Sequence, residues 1–229
     1  LIAPKPRSLD FAEAAALPLT ALTAWETLFE RLDIRRPVAG AANALLVIGA
    51  AGGVGSITIQ LAKVLTDTAV IATASRPASR DWVRALGADF VVNHHEPLPA
   101  QIAALGIGAP AFVFSTSHSD TYLLAIAELI APQGRIAVID DPATLDVNPL
   151  KSKSLSLHWE FMFTRALWQT ADIAAQGQIL REVAALVDAG KIRTTLTERL
   201  DGINAANLRH AHALLERGDA IGKVVLSDW

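Results

Sequence analysis

The 229-residue chain is 52% hydrophobic and 19% charged, carries a formal net charge of −3 and contains no cysteine. A sizeable core is therefore possible, in one large domain or one and a half ordinary ones. The charge balance excludes nucleic acid or an anionic membrane surface as the main partner, no apolar run approaches the ~18 residues of a membrane span, and the lack of thiols excludes disulfides here and suits a reducing, cytoplasmic setting.

In chain order, residues 12–17 and 20–32 read as helices, and Leu45 to Ile48 as a compact apolar strand that ends at glycine. Val54 to Leu65 has helical spacing, with Ile57, Leu61 and Val64 on one face. Strands follow at 70–73, 90–92, 111–114 and 135–139, separated by helices at 77–86, 99–105 and 120–130. Each strand is short and apolar throughout, as expected when helices cover both faces. The repeated β-α order predicts an α/β fold with a doubly wound parallel sheet of Rossmann type. Residues 142–154 read as a connection, 155–159 as a sixth strand, 164–189 as one or two helices, 204–217 as a helix capped by asparagine, and 224–226 as a terminal strand.

The first strand-to-helix turn carries the chemistry. It reads Gly49-Ala50-Ala51-Gly52-Gly53-Val54-Gly55. A dinucleotide diphosphate needs backbone N–H groups at a helix start with no Cβ in the way. Gly52 and Gly53 allow that approach, Ala51 and Val54 supply amides beside them, and Gly55 lets the helix pack on the strand. Ala50 stands where the usual G-x-G-x-x-G has its first glycine. The alternative is a tight turn with no ligand, but an apolar strand before the glycines and an amphipathic helix after them favour the nucleotide.

The end of the second strand distinguishes the two nicotinamide dinucleotides. An NAD site usually places Asp or Glu about 20 residues past the glycines. Here the stretch is Ala72-Thr73-Ala74-Ser75-Arg76, with Arg80 beyond. A carboxylate ~5 Å from a 2′-phosphate would cost about 3 kcal/mol per unit charge at an effective dielectric of ~20. Ser75 removes that repulsion, and Arg76 or Arg80 offers a forked cation. NADP(H) is the expected cofactor; ordinary solvated arginines are the competing explanation.

The segments Leu19-Thr20-Ala21-Leu22-Thr23-Ala24-Trp25-Glu26, Gly49–Ser56, Leu86-Gly87-Ala88-Asp89, Pro132-Gln133-Gly134-Arg135, Ser154 to Phe163 and Gly222-Lys223-Val224-Val225-Leu226 occur in this order across nearly the whole chain. In them the sequence resembles the medium-chain dehydrogenase/reductase superfamily, in its zinc-independent quinone oxidoreductase branch, and most of all the group termed zinc-type alcohol dehydrogenase-like. The resemblance implies that Thr23 sits beside the cofactor and that Asn93 and His94 lie near the adenosine. It puts Ser115, Thr116, Ile139, Asp140 and Asp141 on the nicotinamide side. Phe161, Met162 and Phe163 would form a loop against nicotinamide and substrate, with core packing as the alternative. It also implies a GroES-like catalytic domain of which only remnants flank the sheet. Residues 1–18 would be its tail, 19–154 the Rossmann NADP-binding domain, and 155–229 the last Rossmann strand and the return to the catalytic domain.

The six histidines are His94, His95, His118, His158, His210 and His212. None forms a His-x-x-x-His or His-Glu-x-x-His pattern, and no metal site is expected. His94 and His95, adjacent in a strand-like stretch, are expected to point apart. His118 reads as a loop residue. The resemblance implies hydride transfer from NADPH to a small electron-poor substrate, a quinone or an α,β-unsaturated carbonyl, by a homodimer or homotetramer. A non-catalytic NADPH-binding module and an alcohol dehydrogenase with zinc ligands in the upstream region are the alternatives. No residue here is identified as the proton donor.

Overall fold

The computed structural model describes residues 2–218 and 220–228; residues 1, 219 and 229, which fall in the expected tail and return segments, lie outside that description. Strand β1 (Ala42–Ile48) shows why the sheet is central: Leu45, Leu46, Val47 and Ile48 are each at most 1% exposed. Alternate side chains of a strand leave on opposite faces, and two cores follow from that rule. Leu45 and Val47 join one core, Leu46 and Ile48 the other. In β2 (Ala69–Thr73), Val70 and Ala72 face the first core and Ile71 the second. Fully burying one such aliphatic side chain contributes about 1.5–3 kcal/mol.

The remaining strands are β3 (Phe90–Val92), β4 (Pro110–Ser115), β5 (Arg135–Val138) and β6 (Ser156–Trp159). Together they form one parallel sheet in the order β3-β2-β1-β4-β5-β6. Helices α1 (Phe11–Ala15) and α2 (Pro18–Glu26) precede the sheet, and α3 (Gly53–Leu65), α4 (Pro77–Ala85), α5 (Leu98–Ala104) and α6 (Ser119–Leu129) connect its strands. The strand order reverses between β1 and β4, which opens a crevice at their carboxyl ends. This is the doubly wound Rossmann sheet that the alternation of elements predicts.

Two elements depart from expectation, at 20–32 and 196–201, and the stretch 164–189 takes the two-helix alternative. The helix expected over 20–32 is α2 followed by a π-turn, Thr27–Arg31, in which the Leu32 N–H donates to Thr27 O at 2.8 Å. The stretch 164–189 divides into α7 (Thr164–Trp168) and α8 (Ala175–Asp188), because Gln169 ends α7 in the left-handed region at φ 45°. A strand not foreseen, β7 (Leu196–Asp201), pairs in parallel with β8 (Lys223–Ser227). Its polar sequence hides a period of two: residues 196, 198 and 200 are half-buried, 197, 199 and 201 exposed. Helix α9 (Ala205–Glu216) carries the expected cap, since Asn204 Oδ1 accepts from Asn207 N at 2.9 Å. Among the described residues no helix is long and apolar enough to cross a membrane.

Candidate dinucleotide crevice

The glycine turn is fixed from four directions. Gly49 follows β1 at φ 73°, and a Cβ there would sit 2.2 Å from Thr116 Oγ1. Gly49, not residue 50, therefore supplies the conformational freedom of the turn. Its N–H donates to Thr73 Oγ1 at 3.1 Å, which ties it to β2. Thr116 Oγ1 donates to Ile48 O at 2.9 Å from the β4 side. From α4, Trp82 Nε1 donates to Ser56 Oγ at 2.8 Å, and Ser56 Oγ donates on to Ala51 O at 3.3 Å. From β8, Gly222 N donates to the same Ala51 O at 2.8 Å.

Two of the glycines that follow, Gly52 and Gly55, serve different ends. Gly52 caps α3 with extended backbone, and a Cβ on it would meet nothing nearer than Gly49 O at 3.4 Å. Such a Cβ would fill space along the crevice, and its absence leaves the N–H groups at the start of α3 approachable. Gly55 instead packs: a Cβ there would lie 2.5 Å from Ala50 Cα and 2.6 Å from Ala50 O. The residues present thus fit a diphosphate at Gly52 and a close helix–strand contact at Gly55.

The crevice has a volume of about 690 Å³, within the range of small-molecule sites. Ala51, Gly52, Gly53 and Val54 form its floor, Ser75 and Arg76 one end, and Thr116 and Ile139 the β4–β5 flank. His94, His95 and His118 stand along the rim, and the end of α9 closes over it with Leu215, Arg217 and Gly218. No carboxylate lines it among the described residues. Burial depresses the His94 pKa, with the charges of His95, Arg76 and His118 acting in the same direction. These four side chains therefore lie close enough together to act on one another.

The histidine pair corrects an expectation. His94 and His95 do not point apart. They lie in a turn beyond β3, outside the strand, with ring centroids 4.4 Å apart, and both line the crevice. His118 takes φ 53° at the start of α6, which holds its ring over the same space.

Other expected site residues lie elsewhere. Thr23 is buried in α2 and its hydroxyl donates to Leu19 O at 2.9 Å. Arg80 Nη1 turns back onto Ala74 O at 3.4 Å. Asn93 braces the loop after β3 by donating to Glu96 Oε1 at 2.9 Å. Asp140 accepts from Ser119 N at 2.8 Å and from Ser119 Oγ, whose oxygen also lies 2.9 Å from Ser115 Oγ; all three side chains serve the start of α6. Asp141 is exposed beyond β5. Phe161 and Phe163 are about half exposed, with ring centroids 5.4 Å apart, and Met162 packs on the first core. Arg217 and Gly218, which do line the crevice, had no sequence signal beyond a helix ending at glycine. Among the described residues no group of three or more His, Cys, Asp or Glu could hold a metal ion.

The family model described as zinc-binding dehydrogenase matches residues 86–226, more than half of the chain. The chain belongs to that family, in the medium-chain dehydrogenase/reductase superfamily of nicotinamide-dependent oxidoreductases. A zinc-type alcohol dehydrogenase-like protein of Staphylococcus aureus (strain MSSA476) is 37% identical over 99% of this chain and 68% of its own length. A mitochondrial NAD(P)H oxidoreductase of Homo sapiens is 32% identical over 97% of this chain and 57% of its own length. The crystal structure of a zinc-dependent alcohol dehydrogenase candidate from Rhizobium etli CFN 42 superposes with a TM-score of 0.97 at 57% identity, covering 99% of this chain and 66% of that one. The chain thus spans between about half and two thirds of the length of these relatives.

Proposed function

We propose that the full-length protein is an NADPH-dependent, zinc-independent reductase that delivers hydride to a small electron-poor acceptor, a quinone or an α,β-unsaturated carbonyl. The observation that carries the reading is the lining of the crevice: an amide-bearing floor at the start of α3 and a rim with Arg76, Arg217 and three histidines but no described carboxylate. A third phosphoryl group meets attraction there where an NAD site would present a carboxylate. When bound, the cofactor supplies the hydride. Gly52 and Gly53 would receive the diphosphate, Ser75 and Arg76 the 2′-phosphate. Ile139 on the β5 flank would exclude water on the nicotinamide side. A quinone takes up protons readily, so this acceptor class demands no strong acid from the protein.

Assembly is part of the same reading. Strand β6 is an open sheet edge, and its last residue, Trp159, is 53% exposed, as are Leu167 (67%) and Trp168 (79%) of the following helix α7. A second copy across that edge would satisfy its backbone groups and cover the apolar side chains.

The test is a titration of NADPH against NADH followed by quenching of tryptophan, with Trp82, bonded through Ser56 to the glycine turn, as a reporter. NADPH is expected to bind at least about tenfold more tightly, and Arg76→Glu to reverse the order, from the per-charge energy of about 3 kcal/mol at ~5 Å. Equal affinities, or no turnover of any quinone or enone, would overturn the proposal.

A further inference from the structure

Beyond the crevice the molecule buries a polar cluster that the dinucleotide does not use. Glu26 at the end of α2 is 1% exposed, and Glu160, one residue past β6, is 3% exposed. Arg31 in the π-turn binds Glu160 Oε2 at 2.9 Å. Arg165 of α7 pairs with Glu26, with Glu30 at 2.7 Å and with Asp172 at 3.0 Å. Gln176 Nε2 donates both to Glu26 Oε1 at 2.9 Å and to Met162 O at 2.6 Å. The π-turn lets Glu26, Glu30 and Arg31 all face the segment 160–176, because it adds a residue to the turn. That segment starts at the crevice flank: Glu160 N donates to Val138 O at 3.0 Å, and Ile139, the next residue, lines the crevice.

Two observations locate a proton. Glu160 Oε1 is buried and receives no hydrogen bond, which is costly for an ionised oxygen. Glu26, a second buried carboxyl, belongs to the same cluster, and two carboxylates buried together repel each other. A protonated Glu160 removes both difficulties by donating to Glu26. Burial pushes the Glu160 carboxyl up to about 8, the bond to Glu26 and its charge push the same way, and Arg31 opposes them. His158, two residues earlier on β6, faces Arg31 and Arg135 and is pushed down by burial and then by those two charges, so it adds no competing cation.

We propose that Glu160 is a positioning residue: protonated, it docks the Phe161–Met162–Phe163 strap on α2 beside the crevice flank at Ile139, and ionised, it is repelled by Glu26 and loosens the strap. That the flank beside the strap receives the acceptor rests on the reductase reading; the pin itself does not.

The experiment uses the full-length protein with saturating NADPH and varied 1,4-naphthoquinone. Above a midpoint near pH 8, kcat/KM for the quinone is expected to fall about tenfold per pH unit, as a single essential proton requires. The Kd for NADPH is expected to stay level over the same range. Glu160→Gln keeps a neutral donor and should give a profile with no alkaline limb. Arg31→Gln removes the cation that favours ionisation and should move the limb to higher pH. A limb retained by Glu160→Gln, a limb unmoved or moved to lower pH in Arg31→Gln, or an equal fall in NADPH affinity would overturn the pin. Backbone hydrogen exchange of residues 160–169, corrected for intrinsic rate, needs neither turnover nor a variant. Protection should be lost across the same midpoint in the wild-type protein, and protection unchanged through it would end the proposal. Absence of turnover with pH-dependent exchange would instead count against the reductase reading alone.

Discussion

The two flanks of the crevice are built on opposite terms. Around β1 and β2 the surface is backbone: Gly49, Gly52 and Gly55 matter for the Cβ they lack, and most of the bonds that hold the turn end on main-chain atoms. Beyond β5 the surface is held by side chains that meet across long loops. Gln176 and Glu26 are 150 residues apart in sequence, Arg31 and Glu160 129. A backbone site tolerates change in its side chains and fails when an atom is added. A side-chain network fails when an atom is removed, and it can respond to pH. Substitutions on the two flanks should therefore differ in kind.

The largest effect is expected on the network flank. Arg165→Ala leaves the buried Glu26 without its cation, and removing one partner of a buried ion pair costs about 3–5 kcal/mol. At roughly 2–4 °C per kcal/mol for a chain of this size, melting should fall by at least about 6 °C; circular dichroism against temperature measures it. A fall below about 2 °C would mean that the cluster is solvated in solution. Glu160 gives the same flank a pH signature. Its carboxyl is held above the ordinary value of 4.5, up to about 8, so the folded state binds a proton that the unfolded chain has released. The stability it contributes is complete below pH 4.5 and is lost as pH rises through about 8. Wild-type melting should decline across that window more steeply than that of Glu160→Gln.

On the backbone flank the comparison sharpens within one turn. Gly55→Ala puts a Cβ 2.5 Å from a main-chain atom that no rotamer can move. Overpacking of that kind costs about 1–3 kcal/mol, with the upper end expected here. Gly52→Ala meets only ordinary contact at 3.4 Å, so melting should change little. NADPH affinity, by contrast, should fall at least about tenfold, because the new methyl occupies the approach to the α3 amides. Melting curves and NADPH titrations of the two variants side by side decide the matter. Equal loss of affinity without loss of stability would break the division of labour between the glycines.

The same contrast explains what could be read from the sequence. The sheet was legible because its strands are buried on both faces, so runs such as Leu45 to Ile48 carry no competing polar signal. The glycine turn was legible because its spacing is a property of backbone geometry. The π-turn was not, since Thr27 to Arg31 has ordinary helical composition and its ion-pair partners, Arg165 and Glu160, lie far away in sequence. The pairing of His94 with His95 was not legible either, because β3 stops at Val92 and the next residues turn. Strand β7 was hidden by Glu198 on its inner face. The crevice rim at Arg217 depends on β8 returning to Ala51, a contact that no local pattern encodes.

The smallest effect tests that last, illegible part of the crevice. Helix α9 buries only Ala211, so little tertiary packing holds it, and its cap at Asn204 carries a larger share of its stability than a cap on a core helix would. Asn204→Ala removes the bond to Asn207 N and should cost about 1 kcal/mol, roughly 2–4 °C in melting. The helix ends at Glu216, and Leu215, Arg217 and Gly218 line the crevice from there. Fraying at the first turn of a helix this short loosens its last turn as well, because helix formation is cooperative over such lengths. NADPH affinity should therefore fall by a few-fold in Asn204→Ala although residue 204 lies outside the crevice. In Asn204→Asp, which retains a capping oxygen, affinity and melting should stay near the wild-type values. A few-degree loss of melting with unchanged NADPH affinity would show that Arg217 is held by the β8 return rather than by the helix that carries it.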